Sequence, residues 1–313
     1  NEQDSRNYAI AAKLPMLEPA DSAECKQYAK LAYELSEQFD TPVILRLTTR
    51  VSHSRSIVEL GERAALDLKP YEKNPAKNVM LPAFAKPKHH AVEARTEKLR
   101  EWSEASGINT LEDNHAEIGI ITAGVVYQYA HEVLGDSVSY LKLGMVNPLP
   151  DALLRDFASR VETVYVIEEL DDIIETHCKK IGLDVHGKDT FPRCGEFSQA
   201  VIAKCLGRGL PQSKAVAEAI PVRPPVMCCG CPHRGLFYAL KRAKVYVSGD
   251  IGCYTLGNAK PLDMVDTCLC MGAGITMAQG MQRVEPHKRY FSFVGDSTFF
   301  ASGLTGIVNA VYN

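Results

Sequence analysis

Apolar residues along this chain recur either at every third or fourth position or in short unbroken runs, and the two patterns alternate. Asp21 and Ser22 supply an N-cap for a helix over 23–39, whose inward positions are Ala29, Leu31, Ala32, Leu35 and Phe39. Pro42 to Thr49 reads as a strand, and Thr96 to Trp102 as part of an amphipathic helix with Leu99 inward. From Ala116 the alternation becomes regular. Strands are expected at Glu117–Thr122, Val138–Leu143 and Thr163–Ile167, with helices at Val125–Leu134 and Pro150–Phe157 between them. Such alternation implies an α/β fold with doubly wound, mostly parallel sheets. A polar stretch rich in Gly and Pro runs from 181 to 224 and ends in Pro221-Val-Arg-Pro-Pro225, a domain boundary. Beyond it, a helix is expected near Gly235–Lys241, a strand near Val245 and a small-residue helix after Gly274. Tyr290–Val294 reads as a buried strand, and Leu304, Ile307, Val308 and Val311 mark a last helix.

Composition narrows the function classes. With 313 residues, 46% hydrophobic and 23% charged, the chain can build several domains with substantial cores. A net charge of -3 argues against nucleic acid or an anionic membrane as the main partner. No apolar run reaches the length of a membrane span, and no signal peptide is legible, so a cytoplasmic location is expected. The first residue is Asn rather than Met, and the chain reads as a piece of a longer one. Its 10 cysteines are then expected as thiols, mostly small and buried, with Cys228, Cys231 and Cys253 the exceptions.

Several clusters could hold chemistry. Arg50-Val-Ser-His53-Ser-Arg55 follows a strand and is either a solvated loop or a site facing an anion. Thr122-Ala-Gly124 resembles an anion-binding turn but lacks the spacing of a dinucleotide fingerprint. The acidic run from Glu168 to Glu175 offers a catalytic carboxylate or, more simply, a helix cap. The densest signals come last. Cys228-Cys-Gly-Cys231-Pro-His233-Arg234, Gly249-Asp-Ile-Gly252-Cys253-Tyr-Thr255 and Gly295-Asp296-Ser297 bring Gly with Cys, Asp or Thr to several strand ends. Convergence at one sheet edge would make a cofactor site, the place where open α/β sheets bind ligands. One C-x-x-C with Cys268-x-Cys270 does not match a structural zinc pattern.

Taken together these motifs, with Asp266-Thr-Cys-Leu-Cys270-Met-Gly, Pro15-Met-Leu-Glu-Pro and Thr48-Thr-Arg-Val-Ser-His53, resemble the large α subunit of the indolepyruvate ferredoxin oxidoreductases. Cys229 departs from the family, which has Pro there. The resemblance implies a thiamine-diphosphate-enzyme fold in several domains. Residues 1–58 would be the last part of a pyrimidine-binding domain and 59–114 a connecting region. Residues 115–205 would be a transketolase C-terminal-like domain, 206–221 a linker, and 222–313 the first part of the diphosphate-binding domain. It further implies oxidative decarboxylation of indolepyruvate and related aryl pyruvates, with coenzyme A and ferredoxin as acceptors and a smaller β subunit as partner. Thiamine diphosphate and Mg2+ would be the cofactors here. The family's activating glutamate and its [4Fe-4S] cluster ligands would lie outside this chain, leaving it inactive alone. By the same resemblance Cys228, Cys231, His233, Gly252, Cys253, Gly295, Asp296 and Ser297 would line the cofactor, with Asp296 on the metal. Two other readings stay open: a non-oxidative thiamine-dependent decarboxylase, and a cysteine-based metal-binding module without catalysis.

Overall fold

The computed structural model describes residues 3–63, 70–209, 219 and 221–313. The chain divides into two compact units, 1–213 and 214–313. The linker expected at 206–221 lies largely outside the described residues.

The first unit opens with α1 (Arg6–Ala12), β1 (Met16–Leu17), α2 (Ser22–Phe39), β2 (Ile44–Leu45) and α3 (Thr49–His53). Asp21 caps α2 as the sequence implies, its side chain accepting from Glu24 N at 2.9 Å, an interaction worth about 1 kcal/mol. The strand expected over Pro42–Thr49 shrinks to the two residues that pair with β1, because Thr49 already begins α3. Two helices follow, α4 (Pro75–Asn78) and α5 (Pro82–Ala105), the second burying Leu99 as expected.

A four-stranded sheet then forms from β3 (Thr110–Glu112), β4 (Ile118–Ala123), β5 (Ser139–Leu143) and β7 (Thr163–Ile167), while β6 (Met145–Asn147) pairs with β1. The strand order is β3-β5-β4-β7; β4 runs parallel to both neighbours and β3 is an antiparallel edge. Helices α6 (Val125–Leu134) and α7 (Asp151–Ser159) precede β7, and α8 (Ile173–Lys180) and α9 (Gln199–Cys205) follow it. Alternate strand residues feed two cores. Ile121, Leu141, Val164 and Val166 pack with Leu154, Phe157, Ile174 and Cys178 of α7 and α8. Ile120, Tyr140 and Ile167 pack on the other face with Val126, Ala130 and Ile202 of α6 and α9. A sheet buried on both faces between helices is the doubly wound arrangement the alternation predicts.

The second unit contains α10 (His233–Ala243), β8 (Tyr246–Ser248), α11 (Ala273–Val284), β9 (Tyr290–Ser292), α12 (Asp296–Thr298) and α13 (Leu304–Tyr312). Strands β8 and β9 pair in parallel, and Ser248 also bridges to Thr267. The strand expected as buried at Tyr290–Val294 is in place but half open, with Phe291 45% exposed. Phe293, just past the strand, packs against the cluster of Phe237, Val247 and Met264, while the short two-stranded sheet leaves Phe291 largely uncovered.

Expected cysteine burial is also corrected. Only Cys178 is buried, and burial pushes its thiol up to about 12; Cys194, Cys228, Cys229, Cys253 and Cys270 are exposed. These five sit in connections between elements, where no sheet or helix face encloses them.

Candidate functional site

In the first unit three candidate clusters resolve differently. Glu168, directly after β7, is buried and accepts from Ile174 N at 3.1 Å and Glu175 N at 2.9 Å, so the acidic run starts with a cap for α8. Arg6 meets it at 2.5 Å and also holds Asp4 at 2.5 Å, which makes a buried ion cluster of structural kind. The turn at Thr122–Gly124 is filled from within: a Cβ on Gly124 would stand 2.6 Å from Glu18 Oε1, and Glu18 is itself buried. The Arg50–Arg55 stretch is mostly helical. Arg50 pairs with Glu196 at 2.5 Å beside a cavity of about 460 Å³ that Arg46, Thr48 and Thr49 also line.

The second unit builds its site on three connections. The first is the Cys228–Cys231 turn, closed by Cys231 N on Cys228 O at 3.2 Å. Arg234, one helical turn further on, clamps that turn with its Nε on Cys228 O at 2.7 Å and a second bond to Met227 O. Cys231 is half-buried with its Sγ 3.4 Å from His233 Nδ1, while Cys228 is exposed. The His233 ring lies 4.6 Å from that of Tyr254, which stacks on Phe293 at 5.0 Å over the buried Phe237. Phe237 in turn needs the bare backbone of Gly257, where a Cβ would come within 2.4 Å of its ring.

The second connection leaves β8 as Gly249-Asp250-Ile-Gly252-Cys253. Thr255 Oγ1 closes it by donating to Asp250 O at 2.8 Å. Gly252 takes φ +136, which a side chain would strain, and its α-carbon faces open space, as does the exposed Cys253. Tyr254 thus joins this turn to Cys231 and His233.

The third connection leaves β9 as Gly295-Asp296-Ser297, and Asp250 ties it to the second. The Asp250 carboxylate is 1% exposed; Oδ2 accepts from Gly295 N at 2.9 Å and Oδ1 from Gly272 N at 3.0 Å. Burial works to raise its pKa, but the N–H groups of Gly295 and Gly272, the Thr298 hydroxyl and the N–H of Ile251 together hold it below the ordinary carboxylate value. Helix α11 reaches this corner because Gly274 has no side chain: a Cβ there would meet Gly249 O at 2.7 Å and Ser292 Oγ at 2.8 Å. Asp296 and Ser297 are exposed at the start of α12, which widens into a π turn over Phe299–Gly303 before α13. π turns recur at functional sites. An acidic residue in a first helical turn is favourable in itself. What distinguishes Asp296 is the second carboxylate anchored beneath it.

Of the expected residues, the structure therefore groups Gly252, Gly295, Asp296 and Ser297 around Asp250, and Cys231 with His233 around Tyr254. Asp250, Gly272 and Thr298 were not among them. The signal for Asp250 was the repeated Gly-Asp pair, 249–250 and 295–296, at the ends of two strands that pair with one another. Among the described residues no three His, Cys, Asp or Glu side chains gather as a metal-binding group. The donor at Asp296 is instead a single exposed carboxylate, the hard oxygen type that fits Mg2+.

Residues 250–313, which contain this corner, match the family described as "Thiamine pyrophosphate enzyme, C-terminal TPP binding domain". The match takes in most of the second unit, which is thus similar in its larger part to a thiamine-enzyme α/β domain. Along its whole length the chain is 38% identical to "Indolepyruvate oxidoreductase subunit IorA" of Archaeoglobus fulgidus and 39% identical to the protein of that name in Pyrococcus horikoshii. It spans 54% and 55% of those proteins, about half their length. The resemblance read from the motifs therefore holds from one end of this chain to the other. A solved 2-oxoglutarate:ferredoxin oxidoreductase from Magnetococcus marinus overlaps 62% of this chain and 41% of its own, at 15% identity and a TM-score of 0.41.

Proposed function

We propose that this chain supplies the diphosphate-and-metal side of a thiamine diphosphate site in an oxidoreductase that decarboxylates indolepyruvate and related aryl pyruvates. The observation that carries the reading is the Asp250 corner, which fixes Gly295 and Gly272 and presents the Asp296 carboxylate to solvent. Asp296 would hold Mg2+, and Gly295 and Ser297 would lie against the diphosphate. Gly252, Cys253, Cys231 and His233 would form the wall beside it, with Cys228 at the rim. Thiamine diphosphate, when bound, supplies the sink for electrons released on decarboxylation.

What this chain's own residues do is bind and orient. Asp296 neutralises part of the cation's charge, and the bare α-carbon of Gly252 leaves room for a bulky anion against the backbone. On this reading residues 1–58 and 115–205 are the pyrimidine-binding and transketolase C-terminal-like parts. Coenzyme A and ferredoxin would be the acceptors, a smaller β subunit the partner, and the [4Fe-4S] clusters would belong to other parts of the enzyme. Among the described residues no helix is long and apolar enough to cross a membrane.

Titration calorimetry with thiamine diphosphate in Mg2+ and in EDTA tests this directly on the full-length protein. Binding should require the cation, and Asp296→Ala should abolish that requirement together with most of the affinity. Binding that is indifferent both to the metal and to Asp296→Ala would overturn the assignment.

A further inference from the structure

Asp250 is not positioned to touch a cofactor, since it is buried and both of its oxygens are engaged by backbone. Its reach is long. The N–H of Gly272 comes from 22 residues away and that of Gly295 from 45, so one carboxylate fixes the residue before α11 and the residue before α12 together. Thr298, itself buried, adds its hydroxyl from the first turn of α12. Among the described residues no cationic side chain pairs with Asp250, and the main groups that lower its pKa are neutral donors. A buried ionised carboxylate without a counterion is costly, and an apolar side chain would serve packing better. The arrangement makes sense if both the geometry and the negative charge serve the neighbouring site.

We infer that Asp250 is the positioning residue of the metal corner. It holds the Gly295 backbone so that the adjacent Asp296 carboxylate is aimed, and its own charge, set behind that corner, favours a divalent cation there. The inference rests on the proposed thiamine reading. It goes further by assigning the cation's affinity to a residue that never contacts it. Asparagine cannot replace Asp250: it keeps one acceptor oxygen, and its amide NH2 would face one of the two N–H groups, donor against donor. Either the Gly272 or the Gly295 connection must then let go.

The test is the Mg2+ concentration needed for half-maximal thiamine diphosphate binding in the full-length protein, read by calorimetry with folding checked by circular dichroism. Asp250→Asn should raise it about tenfold or more, the size expected when one buried N–H loses its charged acceptor, while leaving binding at saturating Mg2+ much less affected. Ser248→Ala is the structural control. Ser248 is equally buried in β8 and pairs with Thr267 Oγ1 at 2.9 Å, but touches neither glycine N–H, so its loss should lower the melting temperature without moving the Mg2+ midpoint. An unchanged midpoint in a folded Asp250→Asn protein, or an equal shift in Ser248→Ala, overturns the inference. If Asp250→Asn does not fold, Thr298→Val decides: a smaller rise in the midpoint supports the inference and no rise overturns it. A wild-type protein that binds no thiamine diphosphate at any Mg2+ concentration would instead remove the underlying reading, and this inference with it.

Discussion

Glu168 and Asp250 solve the same problem in opposite ways. Each follows the carboxyl end of a parallel strand, each is buried, and each accepts from two backbone N–H groups. Glu168 takes its backbone donors from six and seven residues ahead, and the buried Arg6, 162 residues away in sequence, pairs with it. Asp250 joins two distant connections and meets no cation among the described residues. A carboxylate with a counterion and bonds to the next helix is used up inside the fold. One without a counterion that gathers remote loops leaves negative charge where a cation can use it.

The contrast can be broken most forcefully at Arg6. Arg6→Met should leave Asp4 and Glu168 buried and unpaired and cost the first unit about 3–5 kcal/mol, measured by urea unfolding. The second unit should be unaffected; equal loss in both would contradict the separation.

The two carboxylates should also answer to acid with opposite signs. Asp250 is held below its ordinary 3.8, so its stabilisation is present above that value and lost as pH falls through the lowered one. Burial foremost raises Glu168 above its ordinary 4.5, against the pull of Arg6. Its contribution is therefore fully present below 4.5 and lost as pH rises through the raised value. Thermal melts from pH 6 to pH 3 should show Asp250→Asn flattening the acid-side loss and Glu168→Gln steepening it.

The smallest effect is expected at Asp189, an exposed carboxylate that His186 foremost holds at about 2. Asp189→Asn should remove a shallow loss of stability between about pH 4 and pH 2 and lower stability slightly at pH 7, where the charged carboxylate's contribution is fully present. The Gly187 N–H, which Asp189 accepts at 2.8 Å, shares in that contribution, and a variant as stable as the wild type at pH 7 would contradict it.

How much of this was legible depended on range. Helix Val125–Leu134 and strand Thr163–Ile167 appear where their periodicity places them, because each buries a face dictated by neighbours in sequence. The strand at Pro42–Thr49 does not, since β2 is an edge of two residues whose length is set by its partner β1. Cys228 and Cys253 are open as expected, but Cys194, Cys229 and Cys270 were misjudged for a related reason: residue type favours burial, while connections offer no enclosed face. At the site, Gly252, Gly295 and Asp296 were readable as a glycine-and-acid motif. Asp250 was marked only by the repeated Gly-Asp pair; its bonds span 22 and 45 residues, so its partners were not readable. Between the two readings open for Glu168, the structure favours the helix cap.

The buried Glu18 against Gly124 has a consequence of its own. The Glu18 carboxylate, itself paired with Arg46, occupies the space beside the Gly124 backbone. A free phosphate or carboxylate would have to displace it and meet its charge, so that helix entrance in the first unit is closed to outside anions. The glycine-marked strand ends thus differ: the one at Gly124 is filled by the chain's own acid, whereas beside Gly295 the Asp296 carboxylate stays exposed.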